Sequence, residues 1–224
     1  MLEGDPVIYE TEQGSPEWHR LRCGKVTASM FVEVRKRLKS GPNKGDYSSA
    51  AKDYAFRLAV ERLSGEPMDE GFETWQMRRG HELEPDARER HAFRIRKEIR
   101  HAGFITTPCG RFGASGDGLI DPRGGSEYKC FVSPVSLRKV LYDMDPSDQW
   151  DQVQGSLAIS GREWWHLCYY TPALASYGSD LIVYEAERNE DYIGALWADL
   201  ESFDRLVEEY REHLTTLPKT PIRM

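Results

Sequence analysis

The sequence predicts a mixed α/β fold, a central mixed sheet flanked by helices, on three observations. Apolar residues recur at helical spacing through the first hundred residues. From Arg100 the texture changes to short apolar runs broken by glycine and proline. Helical patterns then return around two further apolar runs and close the chain. With 224 residues and 39% hydrophobic content, one domain spanning 1–224 is expected, its helical part at about 15–100 and its sheet-bearing core at about 100–187.

Each element follows from local signals. Ser15, Pro16 and Glu17 read as an N-cap with proline at the first helical position, opening a short helix through Arg22. A second helix is expected to begin near Thr27 or Ala28. After Gly41, Pro42, Asn43 and Gly45 break the pattern, Ser48 to Leu63 carries Ala51, Tyr54, Ala55, Leu58 and Ala59 at helical spacing and stops at Gly65. Phe72 to about Arg96 carries Trp75, Leu83, Ala87, His91 and Ile95, and Pro85 is expected to kink that helix or restart it beside Glu84. HAGFITTP, RFGASGDGLID and SEYKCFV then read as a strand meander, with PRGG as a flexible turn that pairs the run ending at Asp121 with the run from Glu127 to Val132. Helices are predicted around Val135 to Tyr142 and Gln149 to Ile159, strands over Trp164 to Tyr170 and Leu181 to Glu185, and a final amphipathic helix from Asn189 to Leu214.

Composition narrows the function classes. Cys23, Cys109, Cys130 and Cys168 lie far apart without a CxxC pair, which argues against a zinc site or redox dithiol and for reduced thiols. The start MLEGDPVIYETEQG lacks the pattern of a signal peptide, and no stretch approaches the roughly 20 apolar residues of a membrane helix. A cytoplasmic protein with no membrane partner is expected. The net charge of −7 argues at first against a nucleic-acid ligand. Its distribution is uneven: basic residues gather at Arg20 to Lys25, Arg35 to Lys44, Arg78 and Arg79, and Arg88 to Arg100, while Glu185 to Glu212 is mostly acidic. Such asymmetry permits a basic channel in an acidic protein, and it is equally compatible with solvated helix faces.

The segment GASGDGLIDPRGGSEYKC carries the most coherent chemistry. Asp117 lies between Gly116 and Gly118, and nine residues later comes Glu127-Tyr128-Lys129. On a strand, Glu127 and Lys129 project to one side and Tyr128 to the other. Mg²⁺ takes hard oxygen ligands and keeps several waters, so Asp117 and Glu127 are candidate ligands. Lys129 is the candidate to orient an attacking water or neutralise developing charge, and the two glycines would let a phosphate backbone approach. Taken alone, this spacing is also compatible with a turn aspartate and an ordinary cross-strand charge pair.

Two further segments add to it: Glu84 in RRGHELEPDAR, on a helix before the sheet, and Gln152 and Gln154 in WDQVQGSLAI, on a helix after it. The order E, D, ExK, QxQ, together with EWHRLRCGKVTAS over Glu17 to Ser29, resembles the lambda exonuclease or YqaJ-type viral recombinase family, in the RecB-like branch of the PD-(D/E)xK nucleases. The resemblance covers Trp18 to Gln154. It implies a restriction-endonuclease-like fold and a Mg²⁺-dependent 5′→3′ double-strand DNA exonuclease, with Mn²⁺ as a substitute, working in a bacterial host cell. It also implies a homotrimer, duplex DNA ends as substrate and a single-strand annealing recombinase as partner.

Residue by residue, the resemblance makes Asp117 and Glu127 metal ligands, Lys129 the catalytic lysine, Glu84 a helix-borne carboxylate at the metal and Gln152 an active-site glutamine. Arg22 and Ser29 match a pocket for the 5′-phosphate, and Met77 the place of a strand-separating wedge. Thr107 stands where the exonuclease prototype has a further aspartate. Plainer roles stand beside these: Trp18, Leu21 and Val26 as core, Arg22 in an ion pair, Gln152 and Gln154 on a helix surface, and His81, His91 and His101 as structural residues. Two other functions stay open on the same residues, a restriction-like or structure-selective endonuclease and a non-catalytic DNA-end-binding module.

Overall fold

The computed structural model describes residues 4–68, 75–130 and 133–218. The elements run, in chain order, β1 (Val7–Tyr9), α1 (Pro16–Arg22), β2 (Val26–Thr27), α2 (Phe31–Val34), α3 (Ser49–Ser64), α4 (Trp75–Ile95), β3 (Ile99–Arg100) and β4 (Phe104–Thr106). They continue with β5 (Phe112–Ala114), β6 (Gly118–Ile120), β7 (Gly124–Lys129), α5 (Pro134–Leu141), α6 (Trp150–Ser160), β8 (Trp164–Tyr170), β9 (Leu181–Glu187) and α7 (Glu190–Thr215).

Where the signals are local, the elements lie where they were expected. Ser15 accepts the Trp18 N–H and starts α1, Ser48 accepts the Ala51 N–H and starts α3, and Gly65, at φ 72°, ends α3 in the left-handed conformation. Asn189 caps α7 in the same way, accepting the Tyr192 N–H. Pro85 neither stops nor restarts α4, which runs unbroken through it. The proline costs α4 only one backbone donor, and packing of the helix on the sheet holds it together. The second helical segment begins at Ala28, as expected, with Thr27 in the N-cap position, but it is a 3₁₀ turn over Ala28–Met30 that leads into the four residues of α2. Just before it, Val26 and Thr27 pair in parallel with Phe112 and Gly113, which holds these two residues extended as β2.

The meander divides between two sheets. One has the order β1-β4-β5-β2, and the other β3-β6-β7-β8-β9. In the second, β7 and β8 are parallel, and the connection between them carries α5 and α6. The expected β6–β7 hairpin forms, but Gly124 and Gly125 belong to its strand. The turn is made by Asp121 to Arg123, where Asp121 takes φ 45° and its Oδ1 accepts the Arg123 N–H at 2.9 Å. The glycines admit aromatic rings: a Cβ on Gly124 would lie 2.1 Å from Trp164 Cζ2, and one on Gly125 2.2 Å from Trp165 Cζ3.

Among the described residues, three apolar clusters hold these layers. The largest joins α2, α3 and α7 to the first sheet through Phe31, Leu58, Ile105, Leu200 and Phe203. Val140, Val153 and Leu157 from α5 and α6 cover one face of the second sheet at Trp165, Leu167 and Tyr169. On the other face Ala87 of α4 packs with Tyr128, Cys168 and Leu181. The five-stranded sheet is therefore sandwiched, with alternate residues of β7 facing α6 and α4. Several basic residues counted in the charge clusters are engaged by acids: Arg35 by Asp151 and Asp199 at 2.6 and 2.8 Å, Lys36 by Glu33 at 2.5 Å, Arg90 by Asp180 at 2.8 Å and Lys97 by Asp121 at 2.7 Å. All four cysteines are free thiols. No helix among the described residues is long and apolar enough to cross a membrane.

Candidate functional site

The hairpin brings Asp117, immediately before β6, beside the end of β7. Asp117 N–H donates to the Ser126 carbonyl at 3.0 Å, and Tyr128 N–H donates to Asp117 Oδ2 at 2.6 Å. Glu127 and Lys129 lie on the α6 face of β7, where Lys129 Nζ stands 2.9 Å from Glu127 Oε1. Gln152, in the first turn of α6, closes a triangle with them: its Nε2 donates to Glu127 Oε1 at 2.7 Å, and its Oε1 accepts from Lys129 Nζ at 3.1 Å. Glu127 Oε2 is buried and has no hydrogen-bond partner among the described residues.

The first turn of α6 is itself anchored. Asp151 accepts from Arg35 and from the Tyr192 hydroxyl, both at 2.6 Å, so α2 and α7 fix the turn that carries Gln152. Gln154, open to reading as helix surface, is fully buried. It donates to the Glu187 carbonyl at 2.8 Å and accepts the Asn189 N–H at 3.0 Å, which pins α6 to the β9–α7 corner.

Gly116 and Gly118 serve packing. A Cβ on Gly116 would lie 2.5 Å from Trp165 Cζ2, and one on Gly118 2.4 Å from Ile99 Cγ2. The expectation that they open the site to a phosphate backbone is corrected, since both face protein atoms.

The electrostatics mark a crowded anionic site. Burial, then the Glu127 and Glu84 carboxylates, holds the Asp117 carboxyl well above the ordinary carboxylate range, against the lowering pull of Lys129 and the Tyr128 N–H. Glu84, half-buried on α4, is also raised, first by burial and then by Glu127, against the pull of His81 and Lys129. Lys129 is opposed by burial, yet Glu127 and Asp117 raise it overall. Glu84 thus stands within electrostatic reach of Asp117, Glu127 and Lys129. Among the described residues no three His, Cys, Asp or Glu side chains converge closely enough to hold an ion unaided. The carboxylate pair, with one oxygen unpartnered among the described residues, has the chemistry that could hold a hard divalent cation.

A second set forms around α1. Arg22 Nη2 donates to Thr27 Oγ1 at 3.3 Å, and Thr27 Oγ1 is 3.5 Å from Ser29 Oγ. The Arg22 guanidinium lies over the Trp18 ring, 4.1 Å from its centroid. Trp18 and Val26 are buried, as core residues should be, and Leu21 is half-buried. Of the backbone groups there, the Thr27 N–H is bonded to Tyr54 Oη at 3.2 Å, and Ala28–Met30 open a 3₁₀ turn. The side-chain groups gathered here include the guanidinium and the Thr27 and Ser29 hydroxyls.

Thr107 sits apart, buried in the turn between β4 and β5, with its Oγ1 3.2 Å from Cys109 Sγ. Met77 falls in the first turn of α4, and its side chain lies outside the described residues. Trp75, counted with the apolar helix face, is 61% exposed. The histidines expected to be structural divide: His91 is buried at the centre of a polar chain under β7, which ten-residue spacing along the sequence gave no means of seeing.

Comparison with known proteins identifies the family and the fold. The profile of the YqaJ-like viral recombinase domain matches residues 17–163. The alkaline exonuclease LHK-Exo of Laribacter hongkongensis is 27% identical, with a TM-score of 0.77 over 90% of this chain and 96% of that one. Its complex with dAMP aligns with a TM-score of 0.78 over the same shares of the two chains. A phage-related exonuclease from Haemophilus somnus 129PT, 15% identical, shares the fold with a TM-score of 0.62 over 88% of this chain and 98% of that one. No curated protein matches the chain. The mixed α/β architecture is thus that of the PD-(D/E)xK-like exonuclease fold, and with more than half its length matched the chain belongs to the YqaJ-like viral recombinase domain family.

Proposed function

We propose that the chain is a DNA exonuclease of phage or prophage recombination. It acts with Mg²⁺, or Mn²⁺ in its place, degrades one strand of a linear duplex from the 5′ end and leaves a 3′ overhang. The observation that carries this function is the buried, unpartnered Oε2 of Glu127, set beside Asp117 and next to a lysine whose ammonium touches the same carboxylate. Family membership and a relative named an alkaline exonuclease, also solved with dAMP, support mononucleotide release from DNA.

Asp117 and Glu127 are the residues that would hold the cation, with Glu84 as a third carboxylate. When bound, the cation polarises a phosphoryl oxygen and makes its water acidic enough to supply a nucleophile. Three carboxylates facing one ammonium leave an excess of negative charge that a divalent ion offsets. Gln152 holds Glu127 through Oε1 and leaves Oε2 for the ion. Lys129, bonded to both, would orient the attacking water and then donate to the charge growing on the phosphoryl oxygens. Arg22, with the Thr27 and Ser29 hydroxyls, would take the terminal 5′-phosphate, because a guanidinium makes charge-assisted bonds that a doubly charged terminal phosphate satisfies better than an internal diester. Met77 keeps its proposed place as a strand-separating wedge.

The chain is proposed to work as a single nuclease domain in the bacterial cytoplasm. It is further proposed to assemble as a ring-shaped trimer threaded by DNA, alongside a single-strand annealing recombinase. The test is digestion of a linear duplex labelled on each strand end in turn, with Mg²⁺ and with chelator, beside a covalently closed plasmid. Metal-dependent release from the 5′ ends with an intact plasmid is expected. A nicked plasmid would point to an endonuclease on the same fold, and two untouched substrates to an end-binding module.

A further inference from the structure

Glu84, Ala87 and His91 follow one another at spacings of three and four residues, so they share one face of α4. Ala87 packs on Tyr128, and His91 is fully buried behind it. His91 Nδ1 lies 3.0 Å from Tyr128 Oη, and His91 Nε2 lies 2.9 Å from His166 Nδ1. His166 Nε2 in turn lies 3.1 Å from Glu185 Oε2. At the opposite end Ser126 Oγ donates to Tyr128 Oη at 3.2 Å.

A carboxylate accepts only, so with neutral rings the direction of the whole chain is set. In that state His166 Nε2–H would donate to Glu185, His91 Nε2–H to His166 Nδ1 and the Tyr128 hydroxyl to His91 Nδ1, with Ser126 donating to Tyr128. Each member donates once and accepts once where its chemistry allows. Burial, followed by His166 and Arg94, holds the His91 ring down at about 4, so it is neutral over the working range.

Tyr128 is the member that joins this chain to the candidate site. Its hydroxyl is bonded to α4 through His91, and its backbone N–H is bonded to Asp117 Oδ2 at 2.6 Å. Arg90 and Arg94 also tie α4 down, to Asp180 and to the Leu181 carbonyl at the start of β9, a strand separated from β7 by β8. Next to Glu84, Pro85 removes one rung of the α4 hydrogen-bond ladder, so the helix there depends on side-chain anchors for its setting.

We propose that Tyr128 and His91 are positioning residues that set Glu84 of α4 against Asp117 and Glu127, one residue holding both the helix and the metal-ligand aspartate. This rests on the nuclease site proposed above. Partners behind metal ligands typically govern affinity or activity about 10- to 100-fold.

The test uses the full chain with the substitutions Tyr128→Phe, Glu84→Gln and the two combined. It measures kcat and KM on linear duplex at saturating Mg²⁺, Mn²⁺ binding by calorimetry without DNA, and thermal melting. Tyr128→Phe keeps the ring and is expected to fold. It should lower kcat about tenfold or more and weaken Mn²⁺ binding, with KM little changed. In the Glu84→Gln background the same substitution should add almost nothing, since its effect passes through Glu84. Losses that multiply, or a Tyr128→Phe enzyme with wild-type kcat and Mn²⁺ affinity, would overturn the proposal. Full activity in Glu84→Gln alone would instead overturn the site on which the proposal stands.

Discussion

Trp18 donates its indole N–H to Ser115 Oγ at 2.8 Å, joining α1 to the loop that delivers Asp117. The same ring lies under the Arg22 guanidinium. One aromatic side chain thus connects the proposed phosphate pocket to the proposed metal site. Trp18→Phe should cost about 1 kcal/mol for the lost hydrogen bond and lower Tm by roughly 2–4 °C in a chain of this size. The preference for a 5′-phosphorylated end should fall as well. Melting curves and initial rates on 5′-phosphoryl and 5′-hydroxyl duplexes check both, and unaltered end preference would remove Trp18 from the pocket.

Arg22→Ala should abolish most discrimination between the two kinds of end and shorten runs of digestion, while Mn²⁺ binding at Asp117 and Glu127 persists. If Arg22 serves only the fold, Tm will drop and the ratio of the two initial rates will stay as in wild type.

Lys129→Ala should lower kcat by about a hundredfold or more, the usual cost of losing a group that stabilises transition-state charge. DNA-end binding, measured by fluorescence anisotropy in Ca²⁺ or chelator, should survive. Gln152→Ala should cost less, since it frees Glu127 Oε1 without removing a charge. Activity above about a tenth of wild type in the Lys129 variant would exclude the assigned role.

Gly116→Ala should destabilise the protein by about 1–3 kcal/mol, the usual cost of overpacking a core. The added methyl meets Trp165, which is buried and cannot give way cheaply. Because the displaced loop carries Asp117, activity should fall further than the melting temperature implies. A variant with wild-type Tm and kcat would mean that the loop yields freely.

The remaining prediction concerns acid. Arg90 grips the buried Asp180 carboxylate through two hydrogen bonds, at 2.8 and 3.1 Å, and this bond first of all holds Asp180 below its ordinary range. A depressed carboxylate stabilises the fold above its unfolded value of about 4, and that contribution fades as the pH falls toward the folded value. Asp180→Asn should therefore lower Tm at pH 7 and flatten its decline below about pH 4. Melting from pH 7 to pH 3 tests the sign, and parallel curves for the two proteins would contradict it.

Much of the secondary structure was legible because its causes are local. The serine and asparagine caps of α1, α3 and α7, the glycine stop of α3 and the apolar run of β8 act within a turn or a strand. The alternation that sends Glu127 and Lys129 one way and Tyr128 the other is likewise a property of any strand. By contrast β2, two residues long, is a strand only because Phe112 and Gly113 lie beside it, and β1 and β3 exist for the same reason. Periodicity has no purchase on two or three residues.

The candidate site divides along the same line. Sequence by itself singled out the acids and the lysine proposed to carry the chemistry, since residue type and order along the chain are its own content, and these alone carried the family resemblance. Only the tertiary structure decided that Gln152 closes on Glu127 and Lys129, that Glu127 keeps one oxygen unpartnered among the described residues, and that the glycines beside Asp117 make room for Trp165 and Ile99. It alone joined His91 to Tyr128 and, through Tyr128, to Asp117. These relationships arise where sheet register and helix packing bring distant segments within hydrogen-bond reach, and such proximity leaves no periodic trace in the order of residues.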